Sequence, residues 1–179
     1  MKRGAAILVG LLCLPLATAA TVPRSFQYTR TDRCRTLETN ADEGGWSVQL
    51  CPGLAGYRLK VTEGDLRQNV VVLLPGRNGG NGGERSLALA ETTGSGGFSS
   101  VGPTVEWRGT GQGRGFRPDA LILRYSVVED PERPERPTSY LLAVSLAGRR
   151  PCVTAKIAPG LGQNERARAA ADRPGRCLA

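Results

Sequence analysis

The chain has 179 residues, the size of one ordinary domain, and its formal net charge is +8. It contains 24 glycines and 12 prolines but no histidine. Without histidine there is no Ser-His-Asp or Cys-His catalytic site and no histidine-ligated zinc. The high glycine and proline content disfavours a helical bundle and indicates a turn-rich, mainly β domain.

The N-terminal segment has the pattern of a secretory signal peptide. Lys2 and Arg3 precede an apolar stretch, and Ala17–Ala19 fits the small-x-small cleavage pattern. We expect cleavage after residue 19, so that the mature chain begins at Ala20, with Thr21 as the second choice. The apolar stretch is shorter than the roughly 20 residues that cross a bilayer as a helix, so no transmembrane segment is expected after cleavage.

Four cysteines follow the predicted cleavage site: Cys34, Cys51, Cys152 and Cys177. An even number of cysteines in an exported chain is typical of disulfide bonds. Of the three possible connectivities, the spacing favours two local loops, Cys34–Cys51 and Cys152–Cys177. No metal site is predicted, because the chain has no Cys-x-x-Cys spacing and no histidine to complete a ligand set.

Short segments with strand patterns account for most of the region after the signal peptide. The strongest is Asp119–Val128, where Leu121, Leu123, Tyr125 and Val127 form one apolar face. The predicted strands are 46–50, 57–61, 69–74, 105–108, 119–128, 140–146 and 152–157. Residues 21–40 are polar and are expected to be irregular, and residues 77–84, 109–118 and 130–137 are expected to be loops.

One helix is predicted, from Gln163 to Arg173. Glu165, Arg168 and Asp172 are spaced as charge pairs along it. The pattern as a whole predicts one disulfide-linked domain over residues 20–179. It is mainly β, an antiparallel sandwich or partly open barrel with one short C-terminal helix and two disulfides.

Carboxylates are the remaining candidates for hydrolytic chemistry, since the chain has no histidine. The candidates are Glu63, Asp65 and Glu106, and Asp65 with Glu106 is the candidate catalytic pair. If residues 105–108 and 119–127 form a hairpin, Glu106 lies near Ile122 and diagonal to Arg124. A structural ion pair of Glu106 with Arg108 or Arg124 is the favoured interpretation.

The glycine-rich segments lack the Gly-Lys-Ser/Thr ending of a phosphate loop, and no cofactor is predicted. The order of the cysteines, of Glu106-Trp107-Arg108 and of the strand segments resembles a group of exported proteins of alphaproteobacteria with no assigned activity. The similarity spans most of the mature chain and departs at the longer glycine-rich stretch, residues 76–83. The resemblance implies an envelope location and a single domain.

These patterns predict a periplasmic or secreted protein that is a non-enzymatic binding or interaction domain. The alternative is a carboxylate-dependent hydrolase that acts on cell-wall glycan through Asp65 and Glu106, and a third possibility is a purely structural envelope component. The net charge, +6 after loss of Lys2 and Arg3, predicts an anionic envelope polymer or an envelope protein as partner. Nucleic acid is not predicted, because the basic residues are dispersed and the chain is exported.

Overall fold

A computed structural model of the chain describes residues 23–42 and 45–178, so the predicted signal peptide and its cleavage site lie outside the described residues. Ten strands and two α-helices occur within these ranges. In chain order they are β1 (Ser25–Arg30), β2 (Arg35–Asn40), β3 (Trp46–Cys51), β4 (Arg58–Gly64), β5 (Arg67–Pro75), β6 (Asn81–Ser86), α1 (Leu89–Thr93), β7 (Ser99–Thr110), β8 (Arg117–Val127), β9 (Thr138–Ser145), β10 (Cys152–Ile157) and α2 (Gln163–Asp172).

The strands form one open mixed sheet in the order β10-β9-β8-β7-β5-β4-β3-β2. Neighbouring strands are antiparallel except β5 and β7, which meet in parallel at Arg67 and Ser99. Two further strands branch from this path, since β1 pairs with β7 and β6 pairs with β5. The prediction of a mainly β fold with one short C-terminal helix is confirmed.

The main hydrophobic core draws on both halves of this sheet. It combines buried side chains of β4 and β5 with those of β7, β8 and β9. Trp107 of β7 is fully buried at its centre, and its ring lies 6.1 Å from the ring of Tyr57. The indole Nε1 donates a 2.8 Å hydrogen bond to Oγ1 of Thr29, which satisfies the one polar atom of the buried side chain and ties β1 to β7.

A second, smaller core joins α2 to the outer face of β8, β9 and β10. Its members are Ala120, Ile122, Leu141, Ala143, Ile157, Ala167 and Ala171. Alanine at two positions one turn apart allows the helix backbone to approach the sheet closely. At the start of α2, Nε2 of Gln163 donates to the carbonyls of Ser139 and Ile157, at 2.9 and 3.1 Å, and ties the helix to β9 and β10.

The two predicted disulfides, Cys34–Cys51 and Cys152–Cys177, are confirmed. The first connects the residue before β2 to the end of β3, and the second connects the segment after α2 to the first residue of β10. Disulfides of this kind are typical of proteins in oxidising compartments. No helix among the described residues is long and apolar enough to cross a membrane.

Several local predictions were wrong. Residues 21–40 were expected to be irregular but contain β1 and β2, the predicted loop at 77–84 includes the start of β6, and α1 was not predicted. Strand β2 is exposed at every position, so no hydrophobic alternation marks it. Its strand conformation comes from pairing with β3, and the Cys34–Cys51 bond holds the two strands together.

Candidate functional site

A cleft of about 440 Å³ opens between α2 and the outer face of the sheet, and we call it the α2 cleft. Its size lies within the range of small-ligand sites. The lining residues are Tyr28, Pro103, Thr104, Glu106, Ile122, Arg124, Leu141, Asn164, Ala167 and Arg168. Apolar side chains of β8, β9 and α2 are thus combined with a few polar and charged groups, as in many binding sites.

An irregularity in β7 shapes one wall of the cleft. The pairing of β7 with β8 is interrupted between Val101 and Val105, so residues 102–104 lie opposite the single residue Arg124. Bulges of this kind redirect side chains and are common beside functional sites. A Cβ atom at Gly102 would lie only 2.7 Å from Cβ of Arg124. Glycine at this position therefore allows the bulge to pack against the stem of Arg124.

Glu106 is the one carboxylate among the described residues that line the cleft, and arginines bind both of its oxygens. Oε1 accepts from Nη1 of Arg108 at 2.6 Å and from Nε of Arg168 at 3.0 Å, and Oε2 accepts from Nη2 of Arg168 at 3.0 Å. The hydroxyl of Tyr28 also donates to Oε2, at 3.3 Å. Burial by itself raises the pKa of Glu106, but the hydrogen bonds and charges of Arg168 and Arg108 outweigh it, so the pKa lies below its ordinary value.

These contacts belong to a longer row of alternating charges, which we call the ionic row. Its members, in order of contact, are Arg168, Glu106, Arg108, Asp172, Arg24 and Asp119. Arg108 donates to both oxygens of Asp172, and Arg24 donates to both oxygens of Asp119. The row contains three arginines and three acids, so it has no net charge, and it connects Arg24, just before β1, to β7, β8 and α2.

Arg124 stands apart from the ionic row. Its Nη1 donates one 2.9 Å hydrogen bond to Oγ of Ser139, and no described carboxylate lies within 4.0 Å of its guanidinium. A guanidinium carries five N–H donors. The side chain is half-buried and lines the cleft, so it presents unused donors and an uncompensated positive charge to whatever enters there.

Exposed aromatic rings continue the cleft along β1. Phe26 and Tyr28 are 54% and 50% exposed and contact each other edge to face, with ring centroids 5.5 Å apart. The guanidinium of Arg168 lies 6.0 Å from the Phe26 ring. Arg30, the next residue on this face, donates to Oγ1 of Thr104 at 3.4 Å. We call Phe26, Tyr28 and Arg30 the β1 stripe.

The structure does not bring the two candidate catalytic acids together. Asp65 lies in the exposed turn between β4 and β5 and pairs with Arg67, whereas Glu63 accepts a 2.5 Å hydrogen bond from Gln68. Arg67, the first residue of β5 after this turn, pairs with Ser99 of β7. Glu106 lies seven residues after Ser99 on that strand, a separation of roughly 20 Å. Paired carboxylates of glycosidases are only about 5 to 9.5 Å apart.

The sequence-predicted hairpin is present, and Glu106 lies opposite Ile122. Glu106 contacts Arg108, whereas Arg124, the other expected partner, contacts Ser139 instead. The predicted charge pairs within α2 are replaced by contacts to the sheet, because Arg168 binds Glu106 and Asp172 binds Arg108.

Several residues of the cleft were missed, above all Tyr28, Thr104 and Asn164. The alternation of Phe26, Tyr28 and Arg30 was the one local signal that could have indicated β1. Within the described ranges, no three Cys, Asp or Glu side chains are grouped closely enough to hold a metal ion.

Comparison of the chain with protein-family models, curated proteins and solved structures gave no match. The resemblance to exported proteins of alphaproteobacteria therefore stays a prediction.

Proposed function

We propose that the protein is an exported, non-enzymatic binding domain, periplasmic or secreted, that holds a component of the cell envelope in the α2 cleft. The observation that supports this proposal most strongly is the hydrogen bonding of Glu106, because arginines bind both of its carboxylate oxygens. A general acid needs a raised pKa, and the pKa of Glu106 is lowered. No second carboxylate occurs among the described residues that line the cleft, so the groups there favour binding over hydrolysis.

Two features support export. The N-terminal segment has the order of charge, apolar stretch and small residues that predicts a signal peptide. The two disulfides are of a kind that persists in oxidising compartments. The expected partners are accordingly an anionic envelope polymer or an envelope protein.

The test is retention of the mature, oxidised protein by an insoluble envelope fraction that contains wall glycan and membrane proteins. Asn164→Trp places a large side chain in the cleft, because Asn164 is an exposed lining residue on α2. Ala169→Trp is the matched control, since Ala169 is exposed on the same helix and does not line the cleft. We expect the wild type and Ala169→Trp to sediment with the fraction and Asn164→Trp to stay in solution.

The same samples test the hydrolase alternative. The supernatant after incubation should contain no soluble glycan fragments above the level without protein. Release of fragments by the wild type, or retention of Asn164→Trp equal to that of the wild type, would contradict the proposal.

A further inference from the structure

The charge balance of the α2 cleft defines the kind of group it can accept. Glu106 and Arg168 belong to the neutral ionic row, so their charges compensate each other within the protein. Arg124 is the lining cation without a described acidic partner within 4.0 Å. The described residues of the cleft therefore offer one positive charge without an ion-pair partner, which matches a group with a single negative charge.

The shape of the guanidinium of Arg124 indicates which anionic group the cleft accepts. Its planar fork matches a carboxylate with two parallel hydrogen bonds. The stem of Arg124 packs against Gly102, and its Nη1 is held by Ser139, so the group is oriented before a ligand arrives. Pre-orientation lowers the entropy cost of binding. A carboxylate on the ligand is the group that this arrangement fits best.

The surroundings of Arg124 indicate what carries the carboxylate. Thr104 and Asn164 place a hydroxyl and an amide at the lining, and these can exchange hydrogen bonds with ligand hydroxyls. The exposed rings of Phe26 and Tyr28 continue from the cleft along β1 and offer apolar surface for the C–H face of sugar rings. Both features fit a chain of sugar units better than a single small anion.

We infer that the α2 cleft binds a carboxylate-bearing saccharide, and this inference rests on the proposed function. Arg124 binds the carboxylate, the polar lining groups bind hydroxyls, and neighbouring sugar units lie along the β1 stripe. An acidic peptide shares the carboxylate but lacks the rings and hydroxyls, and it is the competing ligand in the test.

The experiment is calorimetric titration of the mature, oxidised protein with a galacturonate trisaccharide. The comparison ligands are the same trisaccharide with its carboxylates reduced to alcohols and a triglutamate peptide. We expect binding of the uronate and at least about tenfold weaker binding of the other two, since a charge-assisted contact or the ring contacts are lost. Binding of triglutamate equal to or tighter than that of the uronate would overturn the inference.

Arg124→Gln should weaken uronate binding at least about tenfold. Arg117→Gln is its matched control, because it removes an exposed arginine from the same strand outside the cleft, and it should change binding less than about twofold. If Arg124→Gln fails to fold, Arg124→Lys serves instead, since it keeps the charge but loses the planar fork, and it should bind more weakly than the wild type. Uronate binding unchanged in the folded variant would overturn the inference.

The aromatic contribution is tested separately with Phe26→Ala. This change should weaken binding of the trisaccharide by at least about threefold, whereas Phe98→Ala, at an exposed phenylalanine away from the cleft, should have no effect. Equal binding by both variants would show that the β1 stripe is not part of the binding site.

Failure of this inference can be told apart from failure of the proposed function. If the uronate does not bind but Asn164→Trp still abolishes retention by the envelope fraction, the cleft binds a ligand of another class. If Asn164→Trp is retained like the wild type, the cleft is not the binding site and both proposals fail.

Discussion

Arg108 and Asp172 are joined by two hydrogen bonds of 2.7 Å each, which connect β7 to the last residue of α2. A carboxylate at the C-terminal end of a helix is disfavoured by the helix dipole. Arg108, which is buried, and Arg24 compensate for this with three hydrogen bonds to the same carboxylate. The contact holds the end of the helix that forms one wall of the α2 cleft.

Replacing Asp172 with Asn should lower the free energy of unfolding by about 2 to 3 kcal/mol, because the buried guanidinium of Arg108 loses one of its two carboxylate partners. Urea unfolding measures the change. The control is Asp130→Asn, which breaks an exposed pair with Arg133 and should change the free energy by less than about 1 kcal/mol. Equal effects of the two substitutions would show that the Arg108–Asp172 contact does not stabilise α2.

Glu106→Gln should also destabilise the protein, by about 1 to 3 kcal/mol, because Arg108 and Arg168 both lose a charged acceptor. Glu38→Gln on the exposed strand β2 should change stability by less than about 0.5 kcal/mol. A catalytic carboxylate is often held at a cost to stability, so its removal would leave the protein equally or more stable. That result, together with loss of a wild-type glycan-releasing activity, would favour the hydrolase alternative.

The ionic row should make stability depend on pH in the acid range. Hydrogen bonds from Arg108 lower the pKa of Asp172, and the hydrogen bonds of Arg168 and Arg108 outweigh burial to lower the pKa of Glu106, from ordinary values of 3.8 and 4.5. A carboxyl whose pKa is lower in the folded state contributes stability that is fully present above its unfolded pKa and is lost as the pH falls through its folded pKa.

We therefore expect the contribution of these two carboxyls to the free energy of unfolding to be constant above about pH 5.5. This contribution should fall as the pH drops below 4.5. Urea unfolding at a series of pH values measures this, with the Glu106→Gln/Asp172→Asn double variant as the comparison. The double variant should be less stable at neutral pH and lose less stability on acidification. Parallel curves for the two proteins would contradict the assignment.

The Cys152–Cys177 bond closes a loop with a sequence separation of 25 and ties the segment after α2 to β10. Replacing both cysteines with Ala should lower the free energy of unfolding by about 3 kcal/mol, chiefly because the unfolded chain gains freedom. Peptide mapping without reductant should recover the two linked pairs from the wild type and only Cys34–Cys51 from the variant. A peptide that joins Cys51 to Cys152 would contradict the connectivity.

Protein purified from the cell envelope should begin at Ala20 or Thr21. The prediction rests on the charged, apolar and small-residue order of the N-terminal segment. Intact mass under non-reducing conditions distinguishes these products from a chain that retains Met1, and the retained chain would show that the segment is not removed.

Features that depend on local pattern were predictable from the sequence. The alternation of Leu121, Leu123, Tyr125 and Val127 predicted a strand with one buried face, and all four side chains are buried in β8. The helix was predicted to end at Arg173 and ends one residue earlier. The disulfide pairing followed from cysteine number and spacing, because short loops close at the lowest entropy cost.

Only the tertiary structure decided the composition of the α2 cleft. Glu106 and Arg168 are 62 residues apart, and Arg24 and Asp119 are 95 apart, so no spacing rule connects them. Along α2 the spacing favoured a local pair between Arg168 and Asp172. The fold placed Glu106 and Arg108, both largely buried, beneath the helix, and charges buried in this way need partners more than exposed charges do. The side chains of α2 therefore bind to the sheet, while Arg124, one of the two partners expected for Glu106, lines the cleft.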